Sequence, residues 1–78
     1  MTDEARVWEE HAAGVKAIRG RCGEALRGPT PAAMTFPSFR AELSRLQGAT
    51  AQKLGRARED FKDRFAGEEA ELKSMCGL

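Results

Sequence analysis

Few side chains in this sequence of 78 residues could carry out chemistry. His11 is the single histidine, and there is no tyrosine. Glu9 and Glu10 precede it, but position 8 is Trp8, so the Glu-x-x-His spacing of helical metal sites is absent. His11 also falls on an apolar stripe of a predicted helix. We therefore interpret it as a packed residue rather than as a ligand or a general base.

The carboxylates also give no pattern that indicates catalysis. Asp60 and Asp63 are three residues apart, on one side of a predicted helix, with Lys62 and Arg64 beside them. The sequence shows no glycine-rich phosphate loop, no Cys/His metal spacing and no nucleophile–base pair. We interpret the two aspartates as surface charges, and we predict a protein that is not an enzyme and has no metal or other cofactor.

The two cysteines, Cys22 and Cys76, are too few for a disulfide framework. They predict reduced thiols in the cytoplasm or in another reducing compartment. Cys22 lies on an apolar stripe and is expected in the core, whereas Cys76 is expected as an exposed thiol near the chain end. The acidic start of the sequence does not resemble a secretory signal, and no apolar run approaches the ~20 residues of a membrane span.

The first predicted helix runs over about 3–27, and a proline-containing loop follows over 28–36. Gly28 is expected in the left-handed position after the helix, and Pro29 cannot continue it. Steps of three or four residues place one apolar face on this helix. Its members are Trp8, His11, Val15, Ile18, Cys22, Ala25 and Leu26.

The second predicted helix is long, over about 37–76, with Pro37 in its first turn. Its apolar stripe repeats every eleven residues, which keeps one face in phase along the whole segment. The stripe contains Phe39, Leu43, Leu46, Thr50, Leu54, Ala57, Phe61, Phe65, Glu68, Leu72 and Cys76. Gly48, Gly55 and Gly67 are the positions where this helix could bend.

These lengths predict an all-α antiparallel hairpin whose second helix extends beyond the first. The helices would span about 37 Å and about 60 Å, so the end of the second would have no cover from its own chain. We therefore expect a second protein chain, identical or different, to bind the exposed apolar residues. These residues are Phe61, Phe65, Leu72 and Met75. The alternative is a three-helix bundle that covers itself by bending near Gly48.

Charge is segregated along the sequence behind a net charge of only +1. Residues 1–10 sum to −3, residues 11–58 to +7 and residues 59–78 to −3. The basic segment is expected to contact an anion or an acidic partner. The cations proposed for that contact are Arg40, Arg45, Lys53, Arg56 and Arg58.

The sequence therefore predicts a non-catalytic assembly or adaptor protein that acts through coiled-coil-like helix–helix contacts. The alternative function is that of a small helical protein that binds nucleic acid through the basic segment around the turn.

Overall fold

The computed structural model describes residues 3–29 and 32–76, although the side chains of residues 32–34 lie outside that description. The described chain is all-helical and forms no strand. Its helices are α1 (Asp3–Ala25), α2 (Ala32–Lys53) and α3 (Lys62–Met75), with a 3₁₀ turn at Arg58–Phe61 before α3. Each α-helix packs against the other two, in a molecule of 45 × 22 × 15 Å.

The prediction of one continuous helix over 37–76 is wrong, because α2 ends at Lys53. Gly55 has a φ of +66°, a conformation that an L side chain disfavours. The Arg56 N–H donates to the Ala51 carbonyl at 2.9 Å, and the Gly55 N–H donates to the Gln52 carbonyl at 3.0 Å. This pair of bonds is the Schellman motif, which satisfies the last carbonyls of α2 and lets the chain turn back.

The loop between α1 and α2 is shorter than predicted. α1 ends at Ala25, and Gly28 has no positive φ, so the left-handed conformation expected there is not formed. α2 already begins at Ala32, which places Pro37 inside the helix rather than in its first turn. Residues 30 and 31 lie outside the described part of the chain.

The core lies between the three helices, at the end of the molecule where α1 and α3 finish. Phe36, Phe39 and Leu46 of α2 pack against it while remaining partly exposed. Its buried members are Val15, Ile18, Cys22, Leu43, Leu72 and Cys76. All of them belong to the apolar stripes that the sequence predicts.

The prediction of two free thiols is wrong, because the structure joins Cys22 to Cys76 in a disulfide. Their Cα atoms are 6.7 Å apart, and Cys76 is only 2% exposed. The prediction that Cys22 is a core residue is confirmed. The prediction rested on the small number of cysteines, which does not exclude a single bond. The turn at Gly55 brings the end of α3 back to the end of α1, so that the two cysteines meet.

Candidate functional site

Most of the predicted interface residues lie inside the molecule. Phe65 and Leu72 are 7% and 1% exposed, because α3 folds back against α1 and α2. Phe61 is partly buried, with its ring centroid 5.2 Å from that of Trp8. Only Met75, which is 42% exposed, has the exposure that a contact with a second chain requires. The chain itself therefore covers three of the four side chains.

Most of the predicted anion-binding cations already have partners within the chain. Arg40 forms an ion pair with Glu69, Lys53 with Glu10, and Arg56 with Asp60, at 2.6, 3.4 and 3.9 Å respectively. Arg58 donates to the Ser44 hydroxyl at 2.8 Å and to its carbonyl at 3.1 Å. Arg45 is exposed and forms no ion pair with the described residues. The five cations are therefore not one free basic surface.

A network of polar side chains crosses the interior near the other end of the molecule. Nδ1 of His11 in α1 lies 2.7 Å from the Thr50 hydroxyl in α2. Nε2 of His11 lies 2.7 Å and 3.0 Å from the two carboxylate oxygens of Glu68 in α3. Gln47 donates to the same carboxylate at 3.1 Å and to the Phe65 carbonyl at 3.1 Å. Each of the three helices thus contributes to one hydrogen-bonded group, which we call the interior network.

Both ring nitrogens of His11 have partners in the two forms of the ring that carry a proton on Nε2. With the proton on Nε2, the ring donates to Glu68 and Nδ1 accepts the Thr50 hydroxyl hydrogen. In the imidazolium form both nitrogens donate, and the Thr50 oxygen accepts. Burial of these polar groups is tolerated because each one is hydrogen-bonded.

The order Thr50–His11–Glu68 matches that of a nucleophile, a base and an orienting carboxylate. A nucleophile must reach a substrate, however, and Thr50 and His11 are only 3% and 1% exposed. Trp8 and Phe65 also flank the His11 ring, with centroids 5.4 and 5.7 Å away. The arrangement is therefore suited to hold three helices in register, with His11 and Thr50 closed to solvent.

The apolar stripes contain a sequence signal for this network, because three of their members are polar. Thr50 and Glu68 both fall on the apolar stripe of the second predicted helix, and His11 falls on that of the first. A polar side chain on a buried stripe requires a polar partner on another stripe. The interpretation of His11 as a packed residue is confirmed, and its partners were the two other polar members of the stripes.

An open groove runs along the α1–α2 pair, with a volume of about 290 Å³. We call this surface the open face. Its lining residues are Gly14, Ala17, Ile18 and Arg21 of α1, with Glu42, Arg45 and Leu46 of α2. None of them belongs to α3.

The two helices of the open face approach closely at Gly14. A Cβ atom at this position would lie 2.8 Å from Cδ2 of Leu46, which is too close for an unadjusted contact. The missing side chain lets Leu46 of α2 lie over α1 and form part of the groove. Arg21 and Glu42 form an ion pair of 2.8 Å across it.

Within the described residues, no group of three or more His, Cys, Asp or Glu side chains could hold a metal ion. No helix in this part of the chain is long and apolar enough to cross a membrane. The chain matches no protein-family model, and no curated protein or solved structure is significantly similar to it.

Proposed function

We propose that this chain is a non-catalytic helical protein that binds another protein by packing a helix onto its open face. The function is of the class that the sequence predicts, but the surface differs. The residues first expected to make the contact are largely used to dock α3, whereas the open face has no cover from the described chain.

The observation that carries the proposal is the groove between α1 and α2. Its lining includes the apolar Ile18 and Leu46, and the short exposed side chain of Ala17 leaves room for a helix beside α1. Charged side chains at its rim, including Arg21 and Arg45, could set the partner's orientation. An apolar floor with a charged rim is typical of protein–protein contacts.

The distribution of ion pairs supports a protein partner over nucleic acid. Five cations of the basic segment are paired with carboxylates of the same chain, which lowers their attraction for phosphates. These cations are Arg19, Arg21, Arg40, Lys53 and Arg56. Catalysis is not part of the proposal, because the Thr50–His11–Glu68 arrangement is closed to substrates.

Site-specific photo-cross-linking tests the proposed function. Benzoylphenylalanine replaces Ala17 on the open face and, in a matched control, the exposed helical Ala70 on α3. We expect a discrete covalent adduct in the expressing cell from position 17 and not from position 70. No adduct at position 17, or equal adducts at both positions, would contradict the proposal.

A further inference from the structure

We propose that the occupant of the open face is a second copy of this chain, packed antiparallel about a two-fold axis that passes between Gly14 and Ala17 of α1. The inference rests on the proposed function, because it uses the same surface. It is carried by the charge order along that surface.

The face of α1 that borders the groove continues beyond Gly14 to Glu10, one turn earlier. Glu10 forms an ion pair with Lys53 of α2 at 3.4 Å, so it lies on the side of α1 that borders α2. Gly14, Ala17 and Arg21 lie on the same side, because they line the groove with α2. The spacing Glu10, Gly14, Ala17, Arg21 is 4, 3, 4, so these residues form one straight line on the helix. The line therefore has a carboxylate at one end, small residues in the middle and a guanidinium at the other end.

The charges along this line are complementary to those of the same line in a second copy that runs in the opposite direction. Glu10 and Arg21 are equally far from the midpoint between Gly14 and Ala17, and they lie about 16 Å apart along the helix. A two-fold axis at that midpoint places Gly14, with Leu46 packed over it, opposite the short exposed side chain of Ala17 of the second copy. It also places Glu10 opposite Arg21 of the second copy, twice by symmetry, as an isologous contact requires. Arg45, which also lines the groove, remains exposed beside this contact.

The ion pairs within each chain can remain formed in this arrangement. Lys53 already lies beside Glu10, and Glu42 beside Arg21. Across the contact the charges would follow the order Lys53, Glu10, then Arg21 and Glu42 of the second copy, so that each charge neighbours an opposite one. A parallel arrangement would instead place Glu10 beside Glu10 and Arg21 beside Arg21, which is unfavourable.

The contact is expected to be weak, because its exposed side chains are mostly short or charged. A standard interface takes roughly 800 Å² from each partner, which is about one seventh of the 5423 Å² surface of this chain. We expect a dissociation constant in the micromolar range or above. Light scattering on the full-length oxidised chain, from about 1 μM to 1 mM, should show a monomer that becomes a dimer.

Two charge-reversed variants test the antiparallel register. In Glu10→Arg and in Arg21→Glu, each predicted cross-chain pair becomes a repulsion, so either variant alone should dimerise at least about tenfold more weakly. In an equimolar mixture, the arginine introduced at position 10 of one variant faces the glutamate introduced at position 21 of the other. The unchanged Arg21 of the first variant likewise faces the unchanged Glu10 of the second. The mixture should therefore dimerise more strongly than either variant alone, although less strongly than the parent chain, because Lys53 and Glu42 keep like-charged neighbours. Circular dichroism shows that both variants are folded.

The outcomes separate this inference from the proposed function. Dimers that form equally well in both single variants, or a mixture that stays monomeric, would overturn the antiparallel pairing. A chain that is monomeric at about 1 mM, but still gives an adduct to a different protein from position 17, would overturn the second copy as the occupant and leave the proposed function standing. Loss of both the dimer and the adduct would overturn both.

Discussion

Nε2 of His11 lies 2.7 Å from Oε2 of Glu68, and this contact joins the first helix to the third across 57 positions of the sequence. It belongs to the interior network, in which Thr50 of α2 is hydrogen-bonded to His11 and Gln47 of α2 is hydrogen-bonded to Glu68. The hydrophobic effect is non-directional, whereas a buried hydrogen-bonded pair is satisfied in one register only. The network therefore fixes how α3 is placed on α1 and α2.

Replacement of Glu68 by leucine should destabilise the fold. The change leaves Nε2 of His11 and one N–H of Gln47 without their acceptor, which costs about 3 kcal/mol in the free energy of unfolding. Urea denaturation followed by circular dichroism measures this loss. The matched control is Glu71→Leu, because Glu71 is 63% exposed and pairs with Arg19 at the surface. That change should cost less than about 1 kcal/mol, and equal losses in the two variants would contradict the role of the network.

Reduction of the Cys22–Cys76 disulfide should also lower the stability. The bond links residues 54 positions apart. In the chain-entropy treatment, a loop of this length contributes about 4 kcal/mol through its effect on the unfolded chain. Urea denaturation with and without a reducing agent measures the difference. The Cys22→Ala, Cys76→Ala double variant should be insensitive to the agent. Free thiols in the native oxidised protein, detected with a thiol reagent, would contradict the assignment.

Two glycine-to-alanine changes should have opposite effects. Gly55 ends α2 at a φ of +66°, where alanine is strained by roughly 1–2 kcal/mol, so Gly55→Ala should destabilise the protein. Gly67 lies within α3, and a Cβ there would meet nothing within 4 Å. Gly67→Ala should stabilise by about 0.5–1 kcal/mol, because alanine favours the helix. Thermal unfolding followed by circular dichroism compares them, and a stabilising Gly55→Ala change would argue for a continuous helix across this position.

The sequence predicts the buried positions of this fold better than its connections. The eleven-residue stripe contains the buried residues Leu43, Phe65, Leu72 and Cys76, although Phe65 and Leu72 were predicted to contact a second chain and Cys76 was predicted to be exposed. Periodicity reports which side of a helix is apolar, and the stripe stays in phase across the turn at Gly55. It carries no information on whether the backbone between two apolar residues is continuous. That depends on the local conformation of a glycine.

The tertiary pairings could not be derived from the stripes alone. The disulfide requires Cys76 to return to Cys22, which follows only once the chain turns at Gly55. The open face is similar, because its residues other than Ile18 and Leu46 are small or charged and give no apolar signal. Its groove appears only when α2 lies beside Gly14 and α3 packs elsewhere on the pair.

The residues first proposed for a protein interface should differ in how much their replacement lowers the free energy of unfolding. Phe65 is 7% exposed, so Phe65→Ala should leave a cavity and lower the free energy of unfolding by about 3–5 kcal/mol. Met75 is 42% exposed, so Met75→Ala should change it by no more than about 0.5 kcal/mol. Urea denaturation of both variants at low concentration, where any dimer dissociates, measures the contribution of the single chain. A stable, fully helical Phe65→Ala monomer would mean that α3 is not docked as described, and the apolar face of that helix would again require a partner.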